Sequence, residues 1–229
     1  MTAHLTGISS MATRDLLAEL AAAWQAQSGG TLSLTSVGGV DAARRVQAGE
    51  VFDVVVLAAN ALAALEATGH VVPGRTMALA HSGVAACVRA GTAPPDIRTE
   101  AALRQAVLDA PQIGYSTGPS GVALMALFAR WGLADTVGPR CVQAPPGVPV
   151  AALVASGEVA LGFQQLSELV HASGITVIGP LPEAVQITTT FSAGWCAVSP
   201  NAEAAGQLLA FLASSEAAAA KHRHGMQPA

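Results

Sequence analysis

The chain has 229 residues, 52% of them apolar, 11% charged and only 4% aromatic, with a net charge of −4. That supplies a core for one large domain or two modest lobes, and it excludes an electrostatic case for nucleic-acid binding. Charges or glycines interrupt every Ala-rich stretch before the ~20 apolar residues a membrane span needs, so no membrane insertion is expected.

The first ten residues carry no basic region and no apolar run of signal-peptide length. As written, the sequence reads as cytoplasmic, or as periplasmic if a leader was removed. His4 to Ile8 is a short apolar strand. Ser9 and Ser10 offer helix N-caps, and Leu16, Leu17, Leu20 and Trp24 follow at helical spacing. Gly29-Gly30 ends that helix. Thr31 to Val37 is a β-branched strand, Gly38-Gly39 a turn, and Val40 to Gly49 a short helix. Val54 to Leu57 is apolar without alternation, which marks a parallel strand buried on both faces. Asn60 to Thr68 is the next helix. Strands alternating with helices of about ten residues imply parallel sheets with right-handed crossovers.

A second series follows. Gly83 to Arg89 reads as a strand, Glu100 to Leu108 as a helix, and Gln112 to Tyr115 as a strand. A helix runs from Val122 to Trp131. Pro145-Pro146-Gly147 precedes another that ends near Gly157. Val159 to Phe163 is a strand, Gln164 to His171 a short helix, and Ile175 to Ile178 a strand. Gln186 to Val198 is long and β-rich. Ala202 to Ala213 is an apolar final helix.

In open parallel α/β sheets, ligands bind beyond the carboxyl ends of strands, at helix starts. Here those positions are Ser9 and Ser10, Gly38, Gly39 and Val40, Asn60, Ser116, Thr117, Ser120 and Gly121, and Gln164 and Gln165. Hydroxyls, amides and free backbone N–H groups at helix starts hold oxyanions without a formal countercharge. The sharpest stretch is Tyr115-Ser116-Thr117-Gly118-Pro119-Ser120-Gly121. Its glycines allow close backbone approach, and Ser120 and Gly121 have N–H groups to donate. It lacks the lysine of a G-x-x-x-x-G-K-S/T phosphate loop, so a carboxylate or small oxyanion fits better than a nucleotide.

Arg44 and Arg45 read as exposed helix cations, and the His222-Arg223-His224 tail as solvated. Cys87, Cys141 and Cys196 have no metal-ligand spacing and read as reduced, mostly buried thiols. His81 and Glu168 are the candidates for proton transfer. No Ser-His-Asp spacing, H-E-x-x-H, zinc pattern or dinucleotide fingerprint is present, so neither cofactor nor metal is expected.

The layout resembles the type II solute-binding proteins, and within them the molybdate-binding proteins of bacterial uptake systems. Ser9-Ser10 is similar to that family's first ligand-binding turn, and Ser36-Val37-Gly38-Gly39-Val40 to its second. Val46-Gln47-Ala48-Gly49-Glu50 and Phe52-Asp53-Val54-Val55-Val56 resemble its I-x-x-G and A-D-V segments. Val154-Ala155-Ser156-Gly157-Glu158-Val159-Ala160-Leu161-Gly162 resembles V-x-x-G-E-x-D-x-G. The resemblance implies an α/β fold of two lobes, each a mainly parallel sheet flanked by helices. The first lobe would hold residues 1–78 and 195–229 and the second 82–188, with crossings near 79–82 and 188–195. It implies a small anionic ligand in the interlobe cleft, and an ABC-transporter membrane component as partner only if the chain is exported.

Two departures shift the expected ligand. The family places a serine where Val40 stands, and a tyrosine where Phe163-Gln164-Gln165 stands. Losing hydroxyls and gaining amides favours an organic polycarboxylate over a tetrahedral metal oxyanion. An aconitate isomerase resembles the same family, which leaves two readings open. In one the chain binds a carboxylate. In the other it is a cytoplasmic isomerase that moves a double bond in an unsaturated polycarboxylate.

Overall fold

The computed structural model describes residues 4–229. The chain forms two compact units. Unit 1 holds the segments up to His81 and from Thr190 to Ala229, and unit 2 is Ser82–Thr189.

In chain order the elements are β1 (His4–Ser10), α1 (Arg14–Ser28), β2 (Thr31–Val37), α2 (Gly39–Gln47), β3 (Val54–Ala58), α3 (Ala59–Ala67) and β4 (Val71–Arg89). Then come α4 (Glu100–Asp109), β5 (Ile113–Tyr115), α5 (Pro119–Arg130), α6 (Ala134–Val137), β6 (Cys141–Gln143) and α7 (Val150–Ser156). They are followed by β7 (Leu161–Gln165), α8 (Leu166–Leu169), β8 (Ile175–Pro180), β9 (Thr188–Cys196), α9 (Ala202–Ala213), α10 (Ala218–Arg223) and β10 (Gln227–Pro228).

In unit 1 the strand order is β2-β1-β3-β9-β4, with β10 on β4. β1 is parallel to both β2 and β3, and β9 is antiparallel to β3. The continuous apolar run of β3 has a simple cause. Val54 and Val56 pack under α1 and α9, against Leu17, Leu20 and Leu208. Val55 and Leu57 point to the other face, against Ala42, Val46, Leu62 and Leu65 of α2 and α3. Side chains alternate across a strand, so a strand covered on both faces must be apolar throughout.

Asp53, just before β3, ties this sheet together. Its carboxylate accepts from the Thr6 amide (2.7 Å), Ser199 Oγ (2.6 Å) and Asn201 Nδ2 (3.0 Å). Burial pushes that carboxyl up, but hydrogen bonds from Ser199, Thr6 and Asn201 outweigh it and hold the group below its ordinary value.

Two expectations are corrected here. The tail is solvated only in part: His222 and Arg223 are exposed, but His224 is buried with Nε2 on Glu19 at 2.8 Å, and the preceding Lys221 is 1% exposed. Burial lowers the Lys221 ammonium below its usual value. The strand expected at Gly83–Arg89 is the end of a 19-residue strand, β4, which begins at Val71. Pro73-Gly74 reads as a break in sequence. Both residues are exposed, and a proline's missing N–H costs no ladder bond on an unpaired strand edge.

In unit 2 the order is β4-β7-β5-β6, with β8 on β4. β5 is parallel to β6 and β7, and β4 is antiparallel to β7 and β8. Phe128 of α5 meets Phe163 of β7 edge-on at 6.2 Å in the larger core. The smaller core packs Val150, Val154 and Val159 around Cys87. Burial pushes the Cys87 and Cys196 thiols up to about 12, so both are inert.

Candidate functional site

Each unit has parallel strands whose carboxyl ends lie side by side. In unit 1 these are Ser10, Val37 and Ala58. Ser10 pairs with Val37, and Ser9 pairs with Val56 two residues before Ala58. In unit 2 they are Tyr115, Gln143 and Gln165, with Tyr115 paired to Gln143 and Phe163. The predicted site residues sort between these two ends. Ser9, Ser10, Gly38, Gly39, Val40 and Asn60 lie in unit 1. Ser116, Thr117, Ser120, Gly121, Gln164 and Gln165 lie in unit 2.

Most helices after these strand ends begin without a cap. The N-caps of α2, α3 and α5 are Gly38, Ala58 and Gly118, and none offers a side-chain acceptor. By contrast, Thr99 Oγ1 caps α4, accepting from the Ala102 amide at 3.1 Å. First-turn N–H groups left uncapped are donors for an anion.

In unit 1 Ser10 is the central residue. It sits at the N-cap of a 3-10 turn, Met11–Thr13, yet makes no capping bond; Thr13 precedes α1. Ser10 Oγ is buried and has no hydrogen-bond partner. The rest of the residue is held fast. Its carbonyl accepts from Ser9 Oγ (3.3 Å) and Thr13 Oγ1 (3.1 Å). The start of α2 lies over it, and a Cβ on Gly39 would come within 3.6 Å of Ser10 Cβ. Ser9 is already engaged, sharing a 2.9 Å hydrogen bond with Ser36 Oγ. Val40 is 73% exposed on the first turn of α2, and Asn60 is exposed on the first turn of α3.

In unit 2 the polar groups largely satisfy one another. Ser116 and Ser120 share a hydrogen bond of 3.1 Å. Gln164 and Gln165 end β7, and Gln165 is also the N-cap residue of the short helix α8. Gln164 Oε1 accepts from the Val150 amide (2.9 Å) at the start of α7, and its Nε2 donates to Glu168 Oε1 (2.8 Å). Gln165 Nε2 donates to Thr189 Oγ1 (2.7 Å), while its Oε1 is buried with no partner. Thr117 is exposed. The reason for Gly121 is also corrected. Its amide is engaged by the Gly118 carbonyl (3.0 Å), and a Cβ there would fall 1.8 Å from the Ser116 carbonyl oxygen. The glycine makes room for the protein's own loop, and the Ser120 amide remains the open one.

The proton-transfer candidates fall in different units. His81 is the last residue of unit 1 on β4, half-buried, with Nδ1 hydrogen-bonded to Thr190 Oγ1 at 3.0 Å. Glu168 is half-buried on α8. Arg44 and Arg45 pair within their own segment, with Asp41 and Glu50. Sequence reasoning passed over Ser192 and Thr190 of β9. A serine between apolar neighbours, Phe191 and Ala193, in a buried strand was the available signal.

Among the described residues no group of three or more His, Cys, Asp or Glu gathers to hold a metal ion. No helix there is long and apolar enough to cross a membrane.

The pattern of the family described as "Bacterial extracellular solute-binding protein" matches residues 5–227. An aconitate isomerase from Pseudomonas sp is 36% identical over 230 residues, spanning 98% of this chain and 87% of that protein. Among solved structures, the periplasmic molybdate-binding protein of Azotobacter vinelandii superposes with a TM-score of 0.82 at 19% identity, covering 97% of this chain and 98% of that one. The sulfate-binding protein SubI of Mycobacterium tuberculosis gives 0.80 at 16% identity, covering 99% and 87%. The binding protein AgtB, solved in complex with agropinic acid, gives 0.76 at 16% identity, covering 100% and 83%. The fold class is thus that of the type II periplasmic binding proteins.

Proposed function

The chain belongs to the bacterial extracellular solute-binding proteins, and from that premise we propose that its ligand is a small organic polycarboxylate. The observation that carries this reading is the buried, partnerless hydroxyl of Ser10 beneath the uncapped start of α2. A buried hydroxyl without a partner costs about 1–3 kcal/mol. A carboxylate oxygen accepting from Ser10 and from the first-turn amides of α2 removes that penalty.

Two features support carbon over metal at the centre of the anion. Val40 presents an exposed apolar side chain on the first turn of α2, suited to a hydrocarbon skeleton rather than to an oxygen. The 36% identical relative is named for a tricarboxylate.

A thermal-shift series tests the reading. Di- and tricarboxylates are expected to raise the melting temperature by mass action. Stabilisation by molybdate and tungstate alone would overturn it.

The same relative favours a second reading, catalysis of a double-bond shift. In that reaction a base removes a proton from the carbon next to a carboxylate. The electron pair moves through the allylic system and the double bond shifts. The proton then returns at the far end of the three-carbon system, two carbons away, so no oxidant or reductant is needed. His81 suits this role, because Thr190 holds Nδ1 and orients the ring, leaving Nε2 to carry the proton. Proton NMR of trans-aconitate with the protein in D2O reads it directly. Deuterium uptake and a cis product, both lost in His81→Gln, are the expected result. No exchange across a range of pH leaves binding alone.

A further inference from the structure

Ser192 is 7% exposed as a residue, and among the described residues its hydroxyl has no protein partner, though the oxygen itself is reached by solvent. Its place in unit 1 follows from strand register. Ser9 pairs with Val56 across β1 and β3, so the next residues along, Ser10 and Leu57, lie side by side. Leu57 pairs with Ser192 across β3 and β9. Ser10, Leu57 and Ser192 therefore form one row across three strands.

The three share a face. Leu57 packs in the core under α2 and α3. A Cβ on Gly194, two residues from Ser192 and so on its face, would meet Leu62 of α3 at 3.0 Å and Val71 at 2.9 Å. A Cβ on Gly39 would meet both Ser10 Cβ and Leu57 Cδ2, at 3.6 and 4.0 Å. Two hydroxyls without protein partners, that of Ser10 buried and that of Ser192 reached by solvent, thus stand on one row of one face, below the starts of α2 and α3. Thr190, the next residue of β9 on that face, is engaged by His81; Ser192 is not.

We infer that Ser192 is a second hydroxyl donor for the ligand and selects for an acid with more than one carboxylate. The spacing supplies the reason. Neighbouring strands are about 4.8 Å apart, which puts Ser10 and Ser192 about 10 Å apart across the row. Leu57, fully buried, fills the line between them, so the two accepting oxygens must lie farther apart than the roughly 4 Å that a hydrogen bond of about 2.8 Å from each end would leave. That exceeds the separation of two oxygens on one tetrahedral centre and suits oxygens on two carboxylates of one carbon skeleton. Ser10 alone serves any oxyanion, whereas the pair serves a polycarboxylate.

The inference rests on the carboxylate reading above, and one titration separates the two. Wild type, Ser10→Ala, Ser192→Ala and Ser192→Cys are titrated calorimetrically with trans-aconitate and with molybdate. Ser192→Ala is expected to weaken trans-aconitate about tenfold, the loss of one hydrogen bond to a charged group. Any molybdate affinity should stay unchanged. Ser192→Cys conserves volume and removes the strong donor, so it should behave like Ser192→Ala; it also stands in if the alanine variant does not fold. Ser10→Ala should weaken both ligands. If the Ser192 variants bind trans-aconitate as wild type does, or lose both ligands equally, the role of Ser192 is overturned while the carboxylate reading stands. If wild type binds no polycarboxylate, both fall.

Discussion

The two units present the same arrangement of parallel strand ends and helix starts, yet differ in which polar groups they leave open. In unit 2 the serines pair with each other, Gln164 closes the start of α7, and Gln165 leans on Thr189. In unit 1 the Ser10 hydroxyl is buried without a partner, that of Ser192 is open to solvent, and α2 and α3 begin uncapped. One end keeps its serines and glutamine amides engaged before any ligand arrives, leaving Gln165 Oε1 and the start of α5 open. The other retains unfilled hydrogen-bonding capacity at a cost in stability, which a bound anion offsets. Functional sites commonly carry such a local penalty.

The largest test breaks the self-satisfied end. Gly121→Ala drives a methyl into the Ser116 carbonyl, and the loop must move. A loss of about 3 kcal/mol in urea unfolding is expected, the upper range for overpacking, together with loss of the ligand-induced thermal shift. An unchanged denaturation midpoint would show that the loop yields freely.

Next comes a control on unit 1 away from its open hydroxyls. Asp53→Asn removes a charge that accepts from Thr6, Ser199 and Asn201, at a cost of about 2 kcal/mol at neutral pH. The pH dependence has a defined sign. The folded carboxyl lies below its ordinary value, so its contribution is complete above about pH 4 and is lost as pH falls through the folded value. The variant should show a flatter acid limb than wild type in melts recorded between neutral pH and pH 3.

Ser10→Ala sharpens the comparison, because stability and binding should move in opposite directions. Removing a partnerless buried hydroxyl should leave the melting temperature of the free protein equal or higher. Carboxylate affinity should drop about tenfold. The smallest effect is expected at Arg44. Its side chain is 77% exposed and pairs with Asp41, so Arg44→Ala should change affinity by less than about twofold. A larger loss would move the anion site towards a cationic pocket.

The α/β class was legible because Val54–Leu57 lacks alternation and because glycines and serines punctuate helices of about ten residues. The extent of β4 was not. Its first residues include Pro73 and Gly74, which signal a turn until the open edge is known. Nor was the burial of Lys221 and His224, which depends on Glu19 reaching across from α1. At the candidate site, chain position placed serines and glycines at strand ends. It did not reveal which hydroxyls are engaged. Ser9 and Ser10 are adjacent and identical in type, but Ser9 meets Ser36 on the neighbouring strand and Ser10 meets none. That difference arises from cross-strand register, which no local pattern encodes. Ser192 escaped for the same reason, since its row-mate is 182 positions away in the chain by direct subtraction of residue numbers.

The strand that carries Ser192 also orders events in time. Unit 2 is one uninterrupted segment, whereas the sheet of unit 1 seats β9 between β3 and β4. A ribosome releases every residue of unit 2 before the part of β9 that belongs to unit 1, from Thr190 on, emerges. Closing the remaining sheet requires contacts of long sequence separation, which form slowly. Unit 2 is therefore expected to acquire protection from hydrogen exchange first. Unit 1 and its two open hydroxyls take shape only when the last fifth or so of the chain has joined.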